Sequence, residues 1–244
     1  MDIFLGSHFF WFPIKSAVSG IHLPWLFTYP ELGFVSTLPI EEAGFYLLAS
    51  LFVLLFYIWM DLSWFSEYNK NKYVVLIKEI PTVLAPHKRS LLWGFAVFFL
   101  AYWVKKNGIF GWENHYSEGF PGYLSVMIFS FITLTFFLFR TVKLFINWRA
   151  FTLSVFIMWL MSVIWEVTLA LPYGWWRFHN NQMVGVFVNA WWGLPIEEPL
   201  LWTLAAWSIV MLYEGFKMHI MKKRLAEESG RSFSWKESVL DPND

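Results

Sequence analysis

The string Leu-Pro-Ile-Glu-Glu occupies residues 38–42 and returns unchanged at residues 194–198. Each copy opens a long apolar stretch, so each places two neighbouring carboxylic acids at the start of a predicted membrane helix. Ionisable groups at the membrane are costly and commonly functional. The repeated motif therefore guides both the predicted fold, a bundle of membrane helices, and the search for a functional site.

Composition indicates a membrane protein. The chain has 244 residues, of which 57% are hydrophobic and only 15% are charged, whereas soluble domains carry about 25% charged residues. Several segments approach the roughly 20 apolar residues that are needed to cross a bilayer. We therefore predict an all-α, integral, multi-pass membrane protein of five to seven helices, with residues 1–244 forming a single membrane domain.

The apolar segments predict five core helices, at residues 39–60, 90–104, 121–140, 148–170 and 194–213. Residues 1–37 are aromatic and broken by proline and glycine, which leaves open a further helix or a re-entrant or interfacial segment. The two motif copies suggest two pseudo-repeats. The predicted organisation is a truncated first repeat at 1–60, a connector with one short helix at 61–120, a second repeat at 121–213 and a polar tail at 214–244.

Basic residues are distributed unevenly along the chain. They concentrate in the 61–89 segment, after the third predicted helix and in the tail, whereas the opposite loops hold Lys105, Lys106 and Arg177. The positive-inside rule then predicts a cytoplasmic C-terminus. Both Glu-Glu pairs would lie on the outer side, at a depth similar to that of Glu166 near the outer end of the fourth helix.

Several kinds of chemistry are disfavoured by the sequence. The chain has no cysteine and a formal net charge of zero, so neither thiolate chemistry nor attraction to nucleic acid is indicated. The six histidines lack metal-site spacing, and neither a dinucleotide-binding nor a nucleophile-elbow motif is present. We predict no metal, no cofactor and no nucleic-acid partner. Membrane lipid is an expected partner, and a homo-oligomer is left open.

The acids have a structural and a functional interpretation. Proline and glutamate in a first turn make a good helix start, because proline lacks a donor that would be unpaired and glutamate complements the helix dipole. Two copies at matching depth favour function instead. Successive helix positions point about 100° apart, so one glutamate of each pair can face the bundle interior. Burial favours the protonated acid, which can act as a general acid.

Aromatic residues make up 22% of the chain, including 17 Trp and 27 Phe. Their faces stabilise cations without offering a lone pair to trap them. Protonation of an alkene, cyclisation through a carbocation and proton loss is therefore the reaction that best matches carboxylic acids beside aromatic side chains.

The region from Trp165 to Trp202 resembles the lycopene cyclase domain of the cofactor-free, integral-membrane type, which occurs as paired small subunits or as one fused chain. Trp165-Glu166 stands where that family has Trp-Asp at a helix end, and Trp175-Trp176 lies in the aromatic link. Residues 192–198 supply the family's Pro-x-Glu-Glu helix start. The copy at 38–42 matches the fused arrangement of two repeats.

The resemblance implies an isomerase that closes a ring at the ψ-end of an acyclic carotenoid taken from the bilayer. It implies an acid/base set of Glu197 and Glu198 first, then Glu41 and Glu42, with Glu166 as a second base or an orienting group. Residues predicted to line the substrate are Trp165, Trp175, Trp191, Trp192, Pro195 and Pro39. The alternative for these tryptophans is anchoring at the membrane interface, and for Asn180, Asn181 and Asn189 we favour a polar loop.

Other functions stay open on the sequence alone. A non-enzymatic binder of an isoprenoid or carotenoid would share the aromatic cavity but would need no proton donor. A carotenoid hydratase would use the same carbocation and capture it with water. A proton-coupled transporter is disfavoured, because the predicted acids share one depth and none lies in the middle of a helix.

Overall fold

The computed structural model describes residues 9–13, 19–23, 38–69, 86–107 and 119–228. The long helices in these ranges are α1 (Ile40–Leu62), α2 (Lys88–Asn107), α3 (Gly122–Val142), α4 (Trp148–Trp165) and α5 (Glu197–Glu228), and α4 continues as a π-helix over Glu166–Ala170. Each lies at one of the predicted helical segments. Helix α5 runs well past the predicted end at residue 213, so residues 214–228 of the predicted polar tail are helical, while 229–244 lie outside the described residues.

Four of these helices are long and apolar enough to cross a membrane, namely α1, α3, α4 with its π-helical extension, and α5. Only 22% to 39% of the most apolar stretch of each helix is buried inside the protein. Most of the surface of these stretches therefore needs an apolar environment. Among the described helices, α2 is not long and apolar enough to be a candidate membrane span. Lys88 and Arg89 at its start and Lys105 and Lys106 at its end shorten its apolar stretch. The predicted fifth span is therefore not confirmed.

Short strands accompany the helices, which the all-α prediction did not include. Among the described residues, three antiparallel pairs join β1 (Phe10–Trp11) to β4 (Arg177–Phe178), β2 (His22–Leu23) to β3 (Leu38–Pro39), and β5 (Phe187–Val188) to β6 (Leu194–Pro195). Together with the 3₁₀ turns Asn180–Gln182 and Asn189–Trp191, β4 and β5 occupy the 171–193 link.

The chain divides into two compact units. The first unit comprises Met1–Leu51, Val97–Met127 and Met158–Trp202, and the second comprises Phe52–Ala96, Ile128–Ile157 and Thr203–Asp244. Each of the five helices contributes one part to each unit. The first unit holds all the acids singled out in the sequence. The predicted division into two repeats, a connector and a tail stays a prediction.

The second unit has an apolar core built from α1, α3, α4, α5 and the turn between α3 and α4. Its buried members are Tyr57, Met60, Leu138, Val142, Ile146, Ala150, Val210, Met211 and Met218. Beside it, the Trp207 ring lies 5.6 Å from the rings of Phe139 and Phe151, and its indole N–H donates to the Thr135 hydroxyl at 2.9 Å. Apolar burial is thus the main stabilising contribution in this unit.

A buried polar network crosses this core. The Tyr57 hydroxyl donates to Glu214 Oε1 at 2.9 Å and accepts the backbone N–H of Asn147 at 3.1 Å. The Asn147 amide donates to Asp61 Oδ1 at 2.8 Å. Lys217 Nζ lies 3.4 Å from Glu214 Oε2 and 4.0 Å from Asp61 Oδ2. Because each of these polar groups has a partner, the network can be buried at acceptable cost, and it joins α1, the start of α4 and α5.

Replacing Asn147 tests this network. The Asn147 side chain also donates to the Phe65 carbonyl at 2.9 Å, and its Oδ1 accepts the Ala150 N–H at 3.4 Å, as an N-cap of α4 does. Asn147→Ala removes these bonds and should destabilise the protein by about 2 kcal/mol, which lowers the melting temperature in detergent by about 4–8 °C.

The matched control is Thr152→Ala, because Thr152 is exposed and donates to the Trp148 carbonyl of its own helix. Its melting temperature should stay close to that of the wild type. Equal melting temperatures for the two variants would show that Asn147 does not hold the network together.

Candidate functional site

The two copies of the motif begin their helices in the same way. In each copy the Leu-Pro pair is the second strand of a two-residue ladder, with His22 opposite Pro39 and Phe187 opposite Pro195. The isoleucine that follows then donates its backbone N–H to the residue just before the partner strand, Ile40 to Ile21 and Ile196 to Val186, both at 3.0 Å. The identical sequence thus has the same strand pairing and the same isoleucine hydrogen bond in both copies.

The first glutamate of each pair extends this correspondence. Glu41 Oε1 accepts the backbone N–H of Ser19 at 2.6 Å, and Glu197 Oε1 accepts the backbone N–H of Val184. Each donor lies two residues before the carbonyl acceptor of the motif isoleucine: Ser19 before Ile21, and Val184 before Val186. Between them lies a glycine with positive φ, Gly20 at 82° and Gly185 at 95°. We call each of these two arrangements a glutamate clamp.

The two clamps lie in different surroundings. Glu41 is exposed, whereas Glu197 is fully buried, at 0% exposure. Next to Glu197, the ammonium of Lys105 interacts electrostatically with the carboxylate and donates to the backbone carbonyls of Asn181, at 2.8 Å, and Met183. Lys105, which the sequence analysis placed in a loop, is buried at 3% exposure. Glu197 and Lys105 together therefore hold the backbone of residues 181–184.

The second glutamate of the later copy forms a different contact. Glu198, 7% exposed, accepts a hydrogen bond from the Tyr123 hydroxyl at 3.0 Å. Its carboxyl also interacts with that of Glu166, which is 3% exposed and accepts the Ser162 hydroxyl at 2.9 Å. Glu166 is the first residue of the π-helical extension of α4, and π-helical turns occur frequently at functional sites. Two buried carboxyl groups, one from α4 and one from α5, thus lie close together.

A cluster of aromatic rings lies beside this carboxyl pair. Phe45 on α1 lies 6.3 Å from the Trp165 ring and 5.6 Å from the Trp202 ring, and Tyr46 stacks on Trp202 at 5.9 Å. Trp175 meets Trp165 edge-on at 5.3 Å. The Trp202 indole nitrogen is close to the Glu166 carboxyl, although it falls short of hydrogen-bond geometry. These rings and acids can hold a developing positive charge next to a proton donor.

The predicted substrate-lining residues divide into two groups. Trp165 and Trp175 join the aromatic cluster. Pro39 and Pro195 lie within the strand ladders and are buried, where they shape the backbone. Trp191 is half-buried in a 3₁₀ turn, and Trp192 is 66% exposed with φ of 57°.

The remaining predicted polar residues differ in their exposure to solvent. Glu42 is half-buried, in contrast to the exposed Glu41. Asn180, Asn181 and Asn189 are exposed in the segment between α4 and α5, as expected for a polar loop.

Sequence reasoning missed several residues of the site. Ser162 lies four positions before Glu166, so it shares a helix face with that acid, and this spacing could have identified it. Tyr123 and Lys105 carried no such signal, because they come from distant segments. Trp202 lies one helical turn after Glu198 and was identifiable on the same grounds as Ser162.

Comparison of the chain with protein-family models, curated proteins and solved structures finds no match. Within the described ranges, no group of three or more His, Cys, Asp and Glu side chains could hold a metal ion.

The glycines of the two clamps offer a test of the local geometry. A side chain at positive φ costs about 1–2 kcal/mol, so Gly20→Ala and Gly185→Ala should each lower the melting temperature measurably. Gly44→Ala in the second turn of helix α1 is the control, since a Cβ there meets nothing within 4 Å and alanine favours the helix by about 0.5–1 kcal/mol. Unchanged stability of both clamp variants would contradict the left-handed backbone at these positions.

Proposed function

We propose that the chain is a carotenoid cyclase, an isomerase of the lycopene cyclase type that works without a cofactor. Its substrate is the ψ-end of an acyclic carotenoid, which reaches the site from the bilayer. The single observation that carries this proposal is the buried pair of carboxyl groups, Glu166 and Glu198, beside the rings of Trp165 and Trp202. The order of motifs from Trp165 to Glu198 supports the same conclusion.

The carboxyl pair supplies the proton. Two buried carboxylates disfavour each other, so such a pair retains a proton between its members. Tyr123 and Ser162 donate hydrogen bonds to the pair and stabilise whichever member is charged. The protonated member delivers its proton to a terminal carbon–carbon double bond, and a tertiary carbocation forms.

Ring closure and proton loss complete the reaction. A second double bond of the polyene attacks the cation and forms the new carbon–carbon bond, which moves the positive charge into the ring. The faces of Trp165, Trp202 and Phe45 stabilise this charge. A carboxylate then removes a ring proton, and a cyclic end group with a β- or ε-type double bond results. Substrate and product are isomers, so the step requires no redox partner.

Two other functions share this site. A hydratase would let water capture the cation and would release a tertiary alcohol. A binder would hold an isoprenoid between the same rings but would have no use for buried acids at this position. We favour catalysis because burying Glu166 and Glu198 together is costly, and binding of a hydrocarbon does not offset that cost.

We also propose that the helices form a multi-pass bundle with a cytoplasmic C-terminus, built from two related halves of which the first is shortened. Basic residues in the described segments support this orientation, since they follow α3 and lie late in α5 and basic segments stay inside. A reporter domain that functions only in the cytoplasm should therefore be active when it is fused after residue 228. Activity of a periplasmic reporter at that point would reverse the orientation.

Expression in a lycopene-accumulating bacterium tests the reaction. The wild-type protein should convert lycopene to cyclic carotenoids. Glu198→Gln and Glu166→Gln should each reduce the amount of cyclic product by about 100-fold or more, because the amide cannot transfer the proton. The measurement is pigment chromatography, with protein quantified in the membrane fraction.

Glu227→Gln is the matched control, because Glu227 is exposed and paired with Lys223. Its product should equal that of the wild type. Lycopene retained unchanged on the purified wild-type protein would indicate a binder, and a hydroxylated carotenoid would indicate a hydratase. Either result would overturn the cyclase proposal.

A further inference from the structure

We infer that the two glutamates of each Leu-Pro-Ile-Glu-Glu copy have different functions. The first of each pair, Glu41 and Glu197, is a positioning residue that holds a neighbouring backbone segment. The second, Glu42 and Glu198, presents its carboxyl to the aromatic cluster, which makes Glu42 a reacting group alongside Glu166 and Glu198. The assignment of reacting groups rests on the proposed function, whereas the positioning role does not.

The positioning role follows from the two glutamate clamps. In both copies the same oxygen, Oε1 of the first glutamate, accepts a backbone N–H from the residue before a left-handed glycine. The donors, Ser19 and Val184, share no side-chain chemistry, so the bond is made to the backbone alone. A backbone donor requires an acceptor oxygen and does not require a proton-transfer group. The clamp is therefore compatible with glutamine as well as glutamate.

The role of the second glutamate follows from its helix face. Residues four apart lie on the same face of a helix, so Glu42 shares a face with Tyr46, and Glu198 shares a face with Trp202. These two aromatic residues occupy equivalent positions in the two copies, and their rings stack on each other at 5.9 Å with an interplanar angle of 22°. The helix faces that bear Glu42 and Glu198 therefore meet.

Phe45 places the start of α1 beside the same aromatic rings. It lies three residues after Glu42, and its ring contacts both Trp165 and Trp202. By spacing alone, both Glu41 and Glu42 lie one turn before Phe45. The two differ because the Glu41 carboxylate is bonded to the Ser19 backbone, which leaves Glu42 as the carboxyl of α1 beside the aromatic cluster.

Paired glutamine and leucine variants separate the two roles. Glu41→Gln keeps an acceptor oxygen and should retain cyclisation to within about threefold, because a neutral hydrogen bond replaces a charged one. Glu197→Gln also keeps the acceptor, so amide exchange at Val184 should stay close to the wild-type rate. It removes the charge beside the buried Lys105 ammonium, so its effect on product includes a loss of stability. Glu41→Leu and Glu197→Leu remove the acceptor. Amide hydrogen exchange at Ser19 and Val184, respectively, should then speed up by about tenfold, and product should fall.

The second glutamates should show the opposite pattern. Glu42→Gln and Glu198→Gln should leave amide exchange at Ser19 and Val184 unchanged, while cyclic product falls by about tenfold or more for Glu42→Gln and by about 100-fold or more for Glu198→Gln. Since Glu41 is exposed, Glu41→Leu is expected to fold. The test therefore stays decisive even if Glu197→Leu fails to fold.

The two ways of failing are distinguishable. If the wild-type protein does not cyclise lycopene, the proposed function fails, and amide exchange still decides whether the clamps exist. If cyclisation occurs but Glu41→Gln loses as much product as Glu42→Gln, the division of roles is wrong. If the leucine variants leave amide exchange at Ser19 and Val184 unchanged, the glutamate clamps do not exist.

Discussion

The first unit depends on how carboxyl groups buried within apolar helices are satisfied. A buried carboxylate without partners is prohibitively costly, and the structure meets this cost in two ways. Glu197 accepts a backbone N–H and lies near the Lys105 ammonium, so its charge is compensated. Glu166 and Glu198 instead interact with each other and with two hydroxyl donors. Charge compensation suits a structural role, and a shared proton suits acid/base chemistry.

The buried acids of the second unit resemble the first of these two arrangements. Glu214 and Asp61 lie near Lys217, and Tyr57, Asn147 and Asn69 donate hydrogen bonds to them. Such networks contribute specificity of packing more than net stability. Here the network fixes the start of α4 against α1 and α5. We therefore assign it a structural role, although its residues are as ionisable as those of the first unit.

Long apolar segments predicted the positions of the helices well, because the length of an apolar segment can be read directly from the local sequence. The five predicted helices and the motif as a helix start correspond to α1 to α5. Sequence could not predict that α5 continues through residues 214–228, because a polar surface permits a helix as readily as a coil. The strand ladders were also missed, since two-residue strands carry no periodicity.

The candidate site shows the same division between local and distant information. Glu166, Glu198 and Trp165 were identifiable from the motifs, and the structure places them together. Tyr123 and Lys105 come from other segments and reach the site only through the fold. The glutamate clamps were hidden for a related reason. Their donors are backbone groups, and glycine is the only residue type that residues 19–21 share with residues 184–186.

The two copies also show how one sequence motif can serve two different needs. A glutamate that accepts a backbone N–H orients the first turn of its helix, so the next residue is turned by about 100° toward another face. Fixing Glu41 and Glu197 thereby fixes the direction of Glu42 and Glu198. The stacked rings of Tyr46 and Trp202 then bring these two directions together in one aromatic environment. Two adjacent acids are useful at this position because the first determines where the second can point.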